Sequence, residues 1–125
     1  MDIELLRPMP DADALAETYF SAAERRALAA LPQQARDAAF LCCWTRKEAC
    51  LKATGMGLSV DTRSFEVGVS PDAREVQIDA PDGCARLALS SFHDVQGAQC
   101  AVARVLACGP AQPACRSLVD NEMYA

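Results

Sequence analysis

The chain has 125 residues, 51% hydrophobic and 23% charged, which suits one domain with a single modest core. Its net charge of −5 argues against nucleic acid or an anionic membrane as the main partner, since both select for a basic face. No apolar run approaches the roughly 20 residues that span a bilayer, and MDIELLRPMP carries acidic residues where a signal peptide carries basic ones, so the chain reads as cytoplasmic.

Residues 1–6, MDIELL, alternate as a short strand does, with Ile3 and Leu5 on one side and Asp2 and Glu4 on the other. RPMPD ends it in a turn. A first helix is predicted from Asp11 to Phe20, with Leu15 and Tyr19 at helical spacing. Ser21 and Glu24 then form a capping box, each side chain meeting an orphan N–H of the other's backbone, for a helix that reaches about Leu31 and stops at Pro32. The longest helix is predicted from about Gln34 to Thr54, with Gly55 just past its C-terminus. Beyond Gly57 the period changes. SFEVGV (64–69), EVQIDA (75–80), ARLALSSF (85–92) and QCAVARVL (99–106) are short strand-like runs separated by turn clusters, as in an antiparallel meander. The tail from Gly109 has no periodicity and is predicted to be disordered after a domain of residues 1–108. A strand, then helices, then strands predict an α+β domain with helices packed on one face of a small antiparallel sheet.

At about 100° per residue, Phe40, Leu41, Trp44 and Leu51 converge on the core face of the long helix. Glu48 is rotated only about 40° from Trp44 and falls inside that stripe. Arg46 is expected to point away, and Lys47 and Lys52 to project from the stripe's two margins. Two explanations of Glu48 stand open: an i,i+4 surface pair with Lys52 in the favourable order, or a cation, hydrogen-bond network or metal facing a carboxylate that is costly to bury alone. Asp2 and Glu4 are open in the same way. Their spacing puts both carboxylates on one strand face about 7 Å apart, which suits a solvated edge strand or a hard divalent cation. If strand and helix pack together, three carboxylates converge with Lys52 beside them, a donor set suited to magnesium and phosphate oxygens.

The seven cysteines include no CxxC pair and have no histidine at ligand spacing, which argues against zinc. They read as reduced, mostly structural thiols. His93, the single histidine, reads as a strand-end residue without a catalytic role.

Trp44-Thr45-Arg46-Lys47-Glu48-Ala49, then Lys52, then Gly55-Met56-Gly57-Leu58 resembles the W-x-x-K-E-A-x-x-K-x-x-G-x-G-L signature of the 4′-phosphopantetheinyl transferases of the surfactin-synthetase-activating type. Asp2-Ile3-Glu4 is similar to the D-x-E of that family, Phe20-Ser21 with Glu24 to its F-S-x-x-E stretch, and Ser64-Phe65-Glu66-Val67 to the strand that follows. The resemblance covers roughly residues 1–106 and is to the second of two similar halves. It implies transfer of the 4′-phosphopantetheine arm of coenzyme A to a serine of an acyl or peptidyl carrier protein, with release of 3′,5′-ADP. Asp2, Glu4 and Glu48 would correspond to the Mg²⁺ ligands, and Lys52 to the family's lysine near the leaving phosphate, a place that suits a compact charge able to donate a proton to the leaving group. Glu48 or a metal-bound water would be the base, and Trp44 would be core packing.

The departures matter too. The first half, with its basic residues for the 3′-phosphate and adenine, has no counterpart here, nor has the glycine that precedes D-x-E. The expectation is a start displaced downstream, with the native chain continuing upstream. The alternatives are a homodimer that rebuilds the missing half-site, twofold pairing being the commonest closed symmetry, and a catalytically incomplete half-domain that acts only as a fold or binding fragment. The shorter holo-acyl-carrier-protein synthases, which assemble as trimers, are less similar by signature.

Overall fold

The computed structural model describes residues 1–81, 83–93 and 97–109, Leu58 by its backbone alone. Beyond Gly109 the predicted tail lies outside the described residues. In chain order the elements are β1 (Asp2–Leu5), α1 (Ala12–Tyr19), α2 (Ala22–Ala29), α3 (Gln33–Thr54), 3₁₀ turns at Gly57–Ser59 and Thr62–Ser64, β2 (Arg74–Ala80), β3 (Gly83–His93) and β4 (Ala98–Gly109). The four strands form one antiparallel sheet in the order β1-β4-β3-β2. The last three are the predicted meander. The first strand joins the last, which sets β1 at an edge beside β4 and within reach of α3.

Alternation along the strands supplies one half of the core. Val76 and Ile78 of β2, Leu87 and Leu89 of β3 and Ala101 of β4 are buried, together with Phe40, Leu41, Cys43, Ala49 and Cys50 of α3. Each large side chain so buried contributes roughly 1.5–3 kcal/mol of transfer free energy. The predicted capping box is present: Ser21 N donates to Glu24 Oε1 at 2.9 Å and Glu24 N to Ser21 Oγ at 3.2 Å. α3 ends as predicted at Gly55, whose φ of 69° is a left-handed conformation that glycine adopts without a Cβ clash.

Three expectations fail, for a common reason. Residues 64–69 do not form a strand. Phe65 and Val67 are buried on alternate positions, as the pattern required, but the backbone there bonds to side chains and not to a ladder. Val67 N and Gly68 N donate to Glu24 Oε2 at 2.6 and 3.2 Å, Arg46 Nε donates to Val67 O at 2.7 Å, and Lys47 Nζ donates to Phe65 O. Arg46 does not point away: it is 0% exposed. Its other nitrogens donate to Asp72 O, Ser91 Oγ and Asp72 Oδ1 at 2.8–2.9 Å. Lys47 is not at a margin either, being 2% exposed and paired with Glu24 at 2.9 Å. The segment between α3 and β2 packs along the helix as the sheet does, and Arg46 reaches both it and Ser91 of β3. A helix covered by both has no single polar face for its period to report.

The cysteines follow expectation in part. Cys42, Cys43, Cys50 and Cys100 are buried free thiols, and Cys108 is free and exposed. Burial pushes the Cys42 and Cys43 thiols up and Cys50 to about 11, so none of these three is a thiolate near neutrality. Cys84 is disulfide-bonded, which corrects the fully reduced reading.

Candidate functional site

The pleat of β1 sorts its four residues. Asp2 is 9% exposed and Glu4 half-buried, whereas Ile3 and Leu5 are exposed on the other face. In the register Asp2 lies opposite Ala101 and Glu4 opposite Gln99. The last turn of α3 comes over this edge. Lys52 Nζ donates to Asp2 Oδ1 at 2.6 Å. That hydrogen bond and the charge of Asp2 raise the lysine's pKa above its ordinary value. Lys52 is therefore not an intrahelical partner of Glu48. It crosses from helix to strand.

The second carboxylate oxygen of Asp2, Oδ2, is buried and has no hydrogen-bond partner among the described residues. Glu4 bonds Arg7 at 3.1 Å near the surface. Glu48 is half-buried, and among the described residues no ion pair engages it. The predicted residues thus lie on the facing elements β1 and α3, with Asp2 and Lys52 in direct contact. As they stand, no group of three His, Cys, Asp or Glu side chains among the described residues is placed to hold a metal ion. The donors nevertheless fit a hard divalent cation. All are carboxylate oxygens, and one of them is desolvated and unmet. Magnesium takes one or two carboxylates plus waters and substrate phosphate, so a closed protein cage is not required. The Lys52 ammonium supplies a positive charge to Asp2.

Glu48 and Lys52 also line a groove of about 630 Å³ between α1, α3 and the two 3₁₀ turns. Tyr19, Phe20, Trp44 and Leu51 form its apolar wall, and Lys47, Asp61 and Thr62 complete the polar rim. Trp44 stacks on Phe40, with centroids 6.1 Å apart, and meets Tyr19 edge-on at 5.4 Å. It packs as predicted with one face and also bounds the groove. Volume and lining are those of a small-molecule site. The contribution of α1 was not readable from the sequence, because Tyr19 meets Trp44 across 25 positions of chain. Among the described residues no helix is long and apolar enough to cross a membrane.

Fold and site together define a helix-backed antiparallel α+β domain that sets strand carboxylates beneath a helix-borne lysine at the end of an apolar groove. The family model of the 4′-phosphopantetheinyl transferase superfamily matches residues 1–103, and the chain belongs to that superfamily. It is 38% identical over 71 residues to the 4′-phosphopantetheinyl transferase HetI of Nostoc sp., a match covering 57% of this chain and 30% of HetI. It is 38% identical over 74 residues to the 4′-phosphopantetheinyl transferase psf-1 of Bacillus pumilus, covering 59% of this chain and 31% of psf-1. The matched stretch is less than one third of either relative. No solved structure matches the chain.

Proposed function

We propose that this chain supplies the catalytic half of a transferase that moves the 4′-phosphopantetheine arm of coenzyme A to a serine of an acyl or peptidyl carrier protein. The observation that carries this reading is Asp2: it is buried, with one oxygen on Lys52 and the other unmet, beside a groove that Glu48 and Lys52 line. The groove suits the pantetheine arm, with its apolar methyls and amides against Tyr19, Phe20, Trp44 and Leu51. In the reaction the serine oxygen forms a bond to the β-phosphorus, the bond from that phosphorus to the bridging pyrophosphate oxygen breaks, and 3′,5′-ADP leaves. Asp2, Glu4 and Glu48 would hold Mg²⁺, which as a Lewis acid neutralises charge on the pyrophosphate. Glu48, unpaired at the groove, accepts the serine proton. Lys52 follows the leaving phosphate, as a compact charge that also holds a proton to give.

The test is direct. Purified chain, apo carrier protein, coenzyme A and Mg²⁺ are incubated together, and the carrier is weighed by mass spectrometry. A gain of one phosphopantetheine per carrier is expected. An unchanged carrier at every protein concentration would instead favour the incomplete half-domain.

The outer face of the sheet supports a second element of the proposal, that a related half covers it. Ile3, Leu5, Phe92, Val102 and Leu106 are exposed. Ile3, Cys100 and Phe92 form one cross-strand row on the side away from α3. A second copy, or an upstream half of a longer chain, would bury this row and complete the cofactor site. Sedimentation equilibrium of the chain alone is expected to give a dimer that Phe92→Lys returns to monomer. A chain monomeric at all concentrations would leave the upstream half as the covering element.

A further inference from the structure

Gln99 is a polar side chain whose burial the fold does not require. It is 2% exposed, on β4, opposite Glu4 of β1 and on the same face of the sheet. Its Nε2 donates to Ala38 O at 3.3 Å, which fixes the orientation of the amide: a flip would set Oε1 against a carbonyl oxygen. Oε1 is then a buried acceptor, and among the described residues it has no partner. A buried acceptor without a partner loses about 1–3 kcal/mol, whereas a leucine would fill the same space with no such loss. Gln99 stands in register between Glu4 of β1 and His93 of β3, and Cβ atoms of opposed residues lie about 4.5–5.5 Å apart, so its neighbour on β1 is a carboxylate, another acceptor, and its neighbour on β3 an imidazole. Two acceptors placed side by side call for a cation or a water that donates to both.

We propose that Gln99 is a positioning residue of the divalent-cation site. Its Oε1 accepts from a water of the ion's shell on the Glu4 side and so holds Glu4 and the ion in register. Asp2 Oδ2, on the same strand face, is the other buried oxygen left unmet among these residues, and one ion with its waters satisfies both. The inference rests on the reading of Asp2, Glu4 and Glu48 as cation ligands and adds a neutral oxygen that no signature residue supplies. Outer-shell partners of this kind typically alter metal affinity by about 10–100-fold.

The experiment is titration of the whole chain with Mn²⁺ alone, read by calorimetry and by the electron paramagnetic resonance of free ion, with thermal unfolding recorded for every variant. Gln99→Leu is expected to weaken Mn²⁺ about 10-fold. Gln99→Glu, which keeps the acceptor and loses the donor to Ala38, is expected to bind as well as the parent chain or better, whatever it does to the melting temperature. Unchanged affinity in Gln99→Leu, or a fall in Gln99→Glu, would overturn the role of Gln99, and the second variant decides where the first does not fold. Failure of the parent chain to bind Mn²⁺ would overturn the cation reading itself, a separate outcome.

Discussion

Replacing Lys47 by methionine is expected to remove about 3–5 kcal/mol of stability at pH 7, the usual consequence of breaking a buried ion pair from one side. The Lys47 ammonium is 2.9 Å from Glu24, donates to the carbonyls of Thr62 and Phe65, and lies 4.4 Å from the centre of the Phe65 ring. Methionine fills the volume and leaves two carbonyls and a carboxylate without a cation. Glu24 keeps the N–H groups of Ser21, Val67 and Gly68 but sits charged in a buried place. The pH dependence separates this account from simple loss of packing. In the parent chain burial pushes the Glu24 carboxyl up, but the charge and hydrogen bond of Lys47 and the bonds from Ser21 and Val67 outweigh it and hold the pKa below 4.5. A depressed carboxylate contributes stability above its ordinary pKa and loses it as pH falls through the folded value. Without Lys47 burial prevails and the variant loses that contribution. Urea unfolding should therefore show the widest gap between the two proteins at pH 7, narrowing as pH falls, first above pH 4.5 where the variant's raised Glu24 takes up its proton and then below 4.5 where the parent's lowered one does. A gap under about 1 kcal/mol at pH 7, the range of exposed pairs, would show that this pair does not hold the segment after α3.

What the sequence disclosed and what it withheld divide along chain distance. β1, the capping box at Ser21 and Glu24, and the glycine stop at Gly55 are each decided within a few residues, and all three are found as predicted. The α+β layering followed from the change of period after Gly57. The role of 64–69 did not, because alternation reports which residues are buried and is silent on where the backbone bonds go. Here they go to Glu24, Arg46 and Lys47, between 18 and 44 positions away. For Lys52 the sequence left two surroundings open, the pair with Glu48 and the carboxylates of the first strand. A lysine four residues after a glutamate reads as its partner, while its observed partner, Asp2, is 50 positions distant. Glu48 was nameable because a carboxylate in an apolar stripe is anomalous by itself, and Asp2 with Glu4 because a two-residue spacing on a strand puts both carboxylates on one face. Gln99 gave no such signal, since a glutamine in a strand becomes anomalous only when its burial and its unmet oxygen are known.

Glu48→Gln and Lys52→Met are expected to affect Mn²⁺ binding in opposite directions and phosphopantetheine transfer in the same one. Glutamine at 48 keeps size and a carbonyl oxygen but loses the negative charge, so Mn²⁺ affinity should fall about 10-fold or more. Transfer should fall about 10²–10³-fold, the usual effect of losing one preorganised charge-stabilising group. The fold should be unaffected, because among the described residues no ion pair engages Glu48. Lys52 behaves differently because its ammonium occupies Asp2 Oδ1 at 2.6 Å, where it neutralises the carboxylate and opposes a second cation. Methionine at 52 leaves both Asp2 oxygens to the ion, so Mn²⁺ alone should bind more tightly than to the parent chain. Transfer should still fall about 10²-fold, the lower end for loss of a general acid, since the leaving phosphate loses its cation and its proton donor. Affinity for 3′,5′-ADP in the presence of Mn²⁺ should fall with it, which gives a readout where turnover is slow. Tighter metal with weaker transfer identifies Lys52 as a stand-in for the cation that moves to phosphate when the ion arrives. If Lys52→Met weakened Mn²⁺ as Glu48→Gln does, the contact with Asp2 would be part of the scaffold, and the unmet Oδ2 would have to find its partner elsewhere.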